Sequence, residues 1–301
     1  MIYDVIIVGG GPAGLSAATI VGRCRRRVLL CDAGRPRNAA SHAMHCFLSR
    51  DGIPPAEFLE LGRAQLAPYP NLELIRAVAV TAACDGEHFR VILDDGRTLH
   101  ARKLLLATGV VDDLPRLEGL AELYGTSIHH CPYCDGWEHR DQAIAVYGKG
   151  AKGAGLALML KQWSSDIVLC TDGPSELERG HLERLAGHGI PVREARIAGL
   201  AGRGGKLEAV VFSDGARLAR QALFFNTGQH QRSPLLGQLG CDFTPKGGVE
   251  TGEMEETGVP GLYVAGDATR DVQLAIVAAA EGARAAFAIN RELLREDGLL
   301  I

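Results

Sequence analysis

The sequence predicts an α/β protein of two Rossmann-like domains, with the second domain inserted into the first. Two glycine-rich loops, at 9–14 and 148–153, support this class, because each stands between an apolar strand-like run and an apolar helical run. A length of 301 residues gives room for two such domains. Two dinucleotide sites are therefore expected in one chain.

The first glycine-rich loop has the spacing Gly-X-Gly-X-X-Gly and lies between a strand expected over 3–8 and a helix expected over 15–21. The first glycine permits a tight turn, the second allows close approach of a pyrophosphate, and the third lets helix pack on strand. The helix N-terminus supplies N–H groups to the phosphates. The candidate binding residues are Gly9, Gly11, Pro12, Ala13 and Gly14.

Three more strand ends complete the first candidate site. The strand expected over 27–31 leads into Asp32, whose carboxylate suits the hydroxyls of a ribose. Two later apolar strands also end in short polar turns, and a helix expected over 274–290 follows the second of them. The candidate residues of these turns are Thr108, Gly109, Gly266 and Asp267, the last placed to hold a ribose or ribitol hydroxyl.

The second glycine-rich loop repeats the pattern less regularly. A strand is expected over 142–147, a helix over 155–162 and a further strand over 166–171. The candidate binding residues are Gly148, Gly150, Gly153 and Asp172. The alternative is a degenerate unit that binds nothing, because a fold does not guarantee a ligand.

The domain boundaries follow from two proline-containing links, at 112–115 and 244–248. Residues 1–113 and 245–301 are expected to form the first domain, and residues 114–244 the insert. A double link of this kind permits rotation of one domain against the other.

Composition excludes several classes of protein. A net charge of -4 and a pI near 6.2 argue against nucleic-acid binding. No apolar stretch reaches membrane-spanning length and the first residues lack a basic signal region, so a soluble, cytoplasmic protein is expected. Six irregularly spaced cysteines are expected to be small buried or half-buried residues rather than reactive ones: Cys24, Cys31, Cys46, Cys84, Cys170 and Cys241.

The order of motifs GGGPAG, ATG, CPYCDG, GKGAKG, NTG and PGLYVAGDAT resembles the low-molecular-weight thioredoxin reductase family across essentially the whole chain. The resemblance implies FAD at the first site, NADPH at the second, a homodimer, and a redox-active Cys-X-X-Cys on the second domain. It also implies roles for three residues. Cys134 faces the flavin, Cys131 exchanges with the substrate, and Asp135 donates and accepts the proton of the exchanging thiol. Capping of the following turn is the alternative role of Asp135.

Two adjacent histidines precede the cysteine motif, and their roles stay open at this level. His130 either stabilises the Cys131 thiolate or is an ordinary hydrogen-bonded side chain. A zinc site formed by His129, His130 and the cysteines is disfavoured, because a second ligand pair at a matching distance is lacking. No metal is therefore expected.

The chain departs from the family at the residues expected to face each cofactor. Asp172 stands where NADPH-dependent members carry a basic cluster for the 2′-phosphate, so NADPH, NADH, another nucleotide or an empty second site all stay open. Gly155 and Leu156 replace family glutamates. Altered segments at 37–52 and 272–274 are expected to line the flavin through Asn38, His45, Gln273 and Leu274.

These departures resemble a sister branch that contains dithiol oxidases and reductases independent of pyridine nucleotides. The predicted function is an FAD-dependent thiol–disulfide oxidoreductase that passes electrons between flavin, the Cys131–Cys134 pair and an external dithiol, disulfide or thioredoxin-like protein. Three alternatives stay open: a conventional NAD(P)H-dependent thioredoxin reductase, a flavin-based redox sensor without turnover, and a nicotinamide–flavin enzyme with inert cysteines.

Overall fold

The structure of the protein is a computed structural model that describes residues 2–269 and 272–300. The helices within these residues are, in chain order, α1 (Pro12–Arg23), α2 (Pro55–Ala64), α3 (Leu120–Leu123), α4 (Pro132–Asp135), α5 (Gly150–Leu160), α6 (Arg179–Gly187), α7 (Leu235–Gln238) and α8 (Ala275–Glu296). None of the helices in this part of the chain combines the length and apolarity needed to cross a membrane.

The strands of the same residues are, in chain order, β1 (Ile2–Val8), β2 (Val28–Asp32), β3 (Leu72–Arg76), β4 (Ala79–Asp85), β5 (His88–Leu93), β6 (Thr98–Leu106), β7 (Val110–Asp112), β8 (Ile128–His129), β9 (Ile144–Tyr147), β10 (Ile167–Cys170), β11 (Val192–Arg193), β12 (Ile197–Arg203), β13 (Lys206–Phe212), β14 (Arg217–Ala219), β15 (Ala222–Phe225), β16 (Gln229–Gln231) and β17 (Leu262–Val264).

The first compact unit comprises Met1–Ala39, Cys46–Val111 and Gln229–Ile301. Its sheet has the order β3-β2-β1-β6-β5-β4, and β17 pairs with β6. Strands β3, β2, β1, β6 and β17 run parallel, whereas β4, β5 and β6 form an antiparallel meander. Successive side chains of β1 point to opposite faces of the sheet, so each face has its own apolar core. Ile7 faces the side covered by α1 and α8, and Ile6 faces the side covered by the meander.

The second compact unit comprises Ala40–His45 and Asp112–Gly228. Its parallel sheet has the order β11-β10-β9-β15-β8. Buried residues of α5 and α6 pack on one face, and the antiparallel sheet β12-β13-β14 packs on the other. Both units therefore have the expected Rossmann-like plan, and the predicted α/β class with two such units is confirmed.

The second link between the units lies earlier in the chain than the predicted one. The first unit resumes at Gln229, whereas the sequence placed this boundary between 244 and 245. The physical reason is α7, because Leu235, Leu236 and Leu239 are buried in the core of the first unit. The first predicted boundary, at 113, lies two residues from the observed one.

A short segment near the start of the chain also belongs to the second unit. Ala40–His45 groups with that unit, although the sequence assigned it to the first domain. Gly125 accounts for part of this, because its backbone has φ of +81° and lies so close to Ala40 that a Cβ would overlap the Ala40 carbonyl group. His45 therefore lies in the unit that carries the cysteine motif.

Candidate active site

The predicted residues of the first site lie at the carboxyl ends of neighbouring parallel strands. In the order β2-β1-β6-β17, Asp32 ends the first strand, Gly9 follows the second, Thr108 follows the third and Gly266 follows the fourth. The carboxyl edge of a parallel sheet is where dinucleotides bind in this class of fold. The structure thus brings together residues that stand more than two hundred positions apart in the sequence.

The glycines of the first loop have different physical roles. Gly9 adopts a φ of +112° and packs so closely on Ala107 that no Cβ fits there. Gly14 packs on the backbone of Gly9, which lets α1 approach β1. A Cβ on Gly11, in contrast, would meet nothing within 4 Å. Gly11 is therefore the glycine that leaves space for a ligand.

In the described part of the chain, two polar features at the carboxyl edge of this sheet lack a protein partner, and a bound group would supply one. The side-chain oxygen Oγ1 of Thr108 is buried and has no hydrogen-bond partner among the described residues. The N-terminus of α1, with Gly11 as its N-cap and Pro12 in the first turn, has no side-chain cap. Burying an unsatisfied hydroxyl costs free energy, and an uncapped helix N-terminus attracts an anion. The residues present therefore fit FAD, which carries both a pyrophosphate and polar ring edges.

Asp267 belongs to a small polar cluster around Arg37. The Arg37 guanidinium donates through Nη1 to Asp267 Oδ2 at 2.8 Å and to Gln273 Oε1 at 2.7 Å. Gln273 also donates to the Asp267 carbonyl at 3.2 Å, and Leu274 is the extended N-cap residue of α8. Asn38 follows Arg37 directly in the chain and is half-buried. The two altered family segments therefore meet in the first unit.

Asp32 is held in place by hydrogen bonds from its own unit. Arg63 donates to Asp32 Oδ2 at 3.0 Å, and the Gly34 backbone N–H donates to Asp32 Oδ1 at 2.9 Å. Asp32 also packs on Gly10, where no Cβ would fit. The carboxylate is consequently fixed beside the glycine-rich loop, where a ribose is expected.

Sequence reasoning missed Glu281, a buried carboxylate of α8. Its Oε2 atom accepts hydrogen bonds from the Gly266 backbone N–H at 2.8 Å and from Thr269 Oγ1 at 3.2 Å. Gly282, the next residue, packs directly on the backbone of Ala13, which fixes α8 against α1. The available signal was a single carboxylate within the alanine-rich stretch 275–288.

The second glycine-rich loop keeps the Rossmann packing, but an N–H at the start of its helix already has a protein acceptor. Gly148 and Gly153 lie against each other, as helix–strand packing requires. The Gly150 N–H, at the start of α5, donates to the Ser175 carbonyl oxygen at 2.8 Å. Lys149 Nζ lies 3.3 Å from Glu176 Oε1. The segment after β10 therefore engages one N–H of the helix start and the Lys149 side chain.

Asp172, the predicted ribose ligand of the second site, is engaged within the protein. It has a φ of +49°, and its Oδ1 accepts a 2.8 Å hydrogen bond from the Ile197 backbone N–H. The Arg196 guanidinium donates to the Asp172 carbonyl at 2.9 Å. Arg193 lies over the ring of Phe212 at 3.8 Å. Arg193 and Arg196, the cations near this strand end, thus each have a partner within the protein.

Cys131 and Cys134 are joined by a disulfide at the start of α4. Cys131 is the N-cap residue, and its Sγ accepts a 3.1 Å hydrogen bond from the Cys134 backbone N–H. Both residues are half-buried, while Tyr133 between them is exposed. Donation to Cys131 Sγ favours the thiolate over the thiol when the disulfide opens.

Asp135, the residue after Cys134, begins a chain of hydrogen-bonding side chains. Its Oδ1 lies 3.3 Å from His129 Nδ1, and His129 Nε2 lies 2.9 Å from His139 Nε2. His139 Nδ1 lies 2.9 Å from Gln142 Oε1. Burial lowers the pKa of His139, which is therefore neutral at pH 7. Sequence reasoning missed His139 and Gln142, because only the turn after α4 brings them to His129.

The two adjacent histidines point to different partners. His130 Nδ1 lies 3.0 Å from the Tyr124 hydroxyl, and its Nε2 lies 3.8 Å from Asp112 Oδ2. His45, on the short segment that belongs to this unit, has its Nε2 3.5 Å from Glu138 Oε1. Among the described residues, no group of three or more histidine, cysteine or acidic side chains is arranged to hold a metal ion.

The remaining cysteines divide into two sets. Burial raises the pKa of Cys31 to about 12 and that of Cys170 to about 11, so these thiols are poor nucleophiles at neutral pH. Cys241 is also buried. The expectation that all six are buried or half-buried was wrong for Cys24, Cys46 and Cys84, which are exposed because they lie on turns or at the outer edge of the sheet.

Comparisons with known proteins agree with this architecture. The family model of the pyridine nucleotide-disulphide oxidoreductases matches residues 3–282. The thioredoxin reductase tcpT of Claviceps purpurea is 35% identical over 278 residues, which cover 88% of this chain and 86% of the relative. The solved structure of a protein named HlmI is 37% identical, with a TM-score of 0.95 and coverage of 98% and 94%. An oxidoreductase from Agrobacterium tumefaciens is 35% identical, with a TM-score of 0.91 and coverage of 98% and 99%.

Proposed function

Because the chain belongs to the pyridine nucleotide-disulphide oxidoreductase family, as a thioredoxin reductase-like, FAD-dependent enzyme, we propose that its Cys131–Cys134 disulfide oxidises an external dithiol and that NADPH is not its electron donor. The observation that carries the second clause is the hydrogen bond from the Gly150 N–H to the Ser175 carbonyl. The substrate class is a small dithiol or a thioredoxin-like protein, and the working form is a homodimer.

The chain's own residues support thiol exchange at the disulfide. Half-buried Cys131 and Cys134 are accessible to a thiol, and the hydrogen bond to Cys131 Sγ stabilises the Cys131 thiolate that the second exchange step releases. Asp135, one residue further on, supplies a carboxylate for proton transfer. Bound FAD, held by the strand ends of the first unit, supplies two-electron redox chemistry at that site.

The second glycine-rich loop supports independence from nicotinamide. A dinucleotide pyrophosphate takes its hydrogen bonds from the first N–H groups of the helix after the loop. Here the Gly150 N–H is bonded to Ser175, and the carboxylate of Glu176 stands beside Lys149. A phosphate at this place would meet a carbonyl oxygen and a carboxylate, both of which repel it.

A conventional NAD(P)H-dependent thioredoxin reductase is the second candidate function. The name of the relative tcpT favours it, as does the retained packing of Gly148 on Gly153. In that case the segment that carries Ser175 has to leave the loop before the nucleotide binds, so reduction by NADPH would show a slow step ahead of flavin bleaching.

An anaerobic titration of the holoprotein separates the two candidates. NADPH, NADH and dithiothreitol are added to separate samples, and the flavin absorbance is followed. We expect bleaching by dithiothreitol alone, reversed when an oxidant such as oxygen is admitted. Cys134→Ser serves as the matched control and is expected to abolish bleaching by dithiothreitol. Bleaching by NADPH or NADH, prompt or after the slow step that opening of the Ser175 segment would impose, contradicts the proposal and supports the reductase.

A further inference from the structure

We propose that His129 and His139 are positioning residues that hold, together with Asp135, the proton that moves during thiol exchange at Cys131–Cys134. The inference rests on the proposed function and assigns a role to two histidines outside the cysteine motif. It is carried by the three contacts that join Asp135, His129, His139 and Gln142 in one line.

The far end of the line fixes the tautomer of His139. The Gln142 side-chain oxygen only accepts, so His139 carries its proton on Nδ1. Burial keeps His139 neutral, and its Nε2 atom is therefore bare and can only accept. His129 must then donate from its own Nε2 across 2.9 Å. Each ring in the line thus determines the protonation of the next.

The near end of the line joins His129 to the residue after Cys134. His129 Nδ1 lies 3.3 Å from Asp135 Oδ1. With its Nε2 proton committed to His139, His129 offers Nδ1 as a second acceptor beside the Asp135 carboxylate. The Asp135–His129 pair can therefore take one proton at a time from an arriving thiol and hold it between the two atoms.

The surroundings of the line favour transfer along it. The His129 side chain is 5% exposed and that of Asp135 is 19% exposed, so water competes weakly for these atoms. Phe224 lies against both imidazole rings, at 5.4 Å and 6.1 Å between ring centroids. The other charged group facing His139 is Glu138. An apolar wall strengthens hydrogen bonds and keeps the rings in register.

The thiol–disulfide exchange in which this proton moves conserves atoms, electrons and protons. The sulfur of one substrate thiol bonds to Cys131 Sγ, the Cys131–Cys134 bond breaks, and the Cys134 sulfur takes the electron pair. The second substrate thiol then attacks the substrate sulfur of the mixed disulfide and releases Cys131. Two electrons pass from the dithiol to the cysteine pair. The two thiol protons pass through the Asp135–His129 pair to the two cysteine sulfurs.

The test is the rate of the exchange step as a function of pH. The oxidised holoprotein is mixed anaerobically with dithiothreitol, quenched in acid, alkylated, and assayed for opened Cys131–Cys134 by mass spectrometry. We expect His129→Phe to lower the rate about 100-fold at pH 7, the size of a general-base contribution. The deficit should vanish above pH ~9, where the substrate thiol ionises without a base. His188→Gln, an exposed histidine of the same unit, is the matched control.

The other outcomes distinguish a failure of the role of His129 from a failure of the proposed function. An unchanged rate in His129→Phe, or a rate lowered equally at every pH, overturns the role of His129 and leaves the proposed function standing. A wild-type protein that does not exchange with the dithiol overturns the proposed function instead. If His129→Phe does not fold, the histidine ¹⁵N spectrum of the wild-type protein decides. A proton on Nδ1 of His139 supports the proposal, and a proton on Nε2 of His139 refutes it.

Discussion

The Gly150 N–H donates a 2.8 Å hydrogen bond to the Ser175 carbonyl, and this bond distinguishes the second glycine-rich loop from the first. At the corresponding place in the first loop, a Cβ on Gly11 would meet nothing within 4 Å. Two loops with similar sequence spacing therefore differ in what lies beside the middle glycine, which is open space at Gly11 and the backbone of Ser175 and Glu176 at Gly150. We propose that this difference weakens phosphate binding at the second loop.

We expect NADPH and NADH not to saturate the holoprotein at concentrations up to about 1 mM. A Kd of about 1 mM corresponds to a binding free energy of roughly -4 kcal/mol, so the expected binding is weaker than that. The reason is that Gly150 and Lys149 are already engaged by Ser175 and Glu176. Isothermal titration calorimetry measures this, and binding of FAD to the apoprotein serves as the positive control. Saturation by either nicotinamide in the micromolar range would show that the segment opens readily.

Replacement of glycines in the first loop should separate folding from FAD binding. Gly11→Ala is expected to fold with unchanged stability, because its Cβ meets open space, but to retain less than a tenth of the wild-type flavin. Gly14→Ala is the matched variant and is expected to lower the stability itself, by about 2 kcal/mol or more, because its Cβ overlaps the Gly9 carbonyl. Flavin content and urea unfolding of the apoproteins are the measurements. Full flavin retention in Gly11→Ala would show that the pyrophosphate lies elsewhere.

Loss of either cysteine of the disulfide should abolish turnover and spare the fold. Cys131→Ser and Cys134→Ser each remove one partner of the exchange, so dithiol oxidation should fall at least about 1000-fold while the flavin content stays unchanged. Cys24→Ser, an exposed thiol of the first unit, is the control and should keep full activity. Activity that survives in Cys134→Ser would mean that the cysteines are inert and that the enzyme acts only between nicotinamide and flavin.

The lowered pKa of His139 predicts a loss of stability in acid. Since the folded state binds the proton more weakly than the unfolded state, stability is full above pH about 6.5 and falls as the pH drops from there toward the folded pKa. The charged groups facing His139 are Asp135, His129 and Glu138. Urea unfolding at pH 7.5 and 5.5 should show a smaller pH effect in His139→Gln than in the wild type. The same pH effect in both proteins would mean that His139 titrates normally.

Much of the site could be predicted because its residues carry strong local patterns. Gly9–Gly14, Thr108 and Asp267 each follow an apolar strand, and parallel strands place their carboxyl ends at one edge of a sheet. The cysteine motif is recognised by its spacing, and its redox role was implied by the resemblance to the thioredoxin reductase family. The residue missed in the first unit, Glu281, lies within a helix, where a lone carboxylate among alanines is a weaker signal than a strand end.

The sequence by itself determined the α/β class, the two Rossmann-like units and the cysteine pair, since these depend on periodicity and on residue types at short spacing. Only the tertiary structure decided that the Ser175 carbonyl accepts the Gly150 N–H of the second loop and that His139 joins the line of side chains that begins at Asp135. Both contacts form because a turn brings together groups that are separated in the sequence. Turn geometry depends on packing with the rest of the protein, so it is difficult to predict from local sequence.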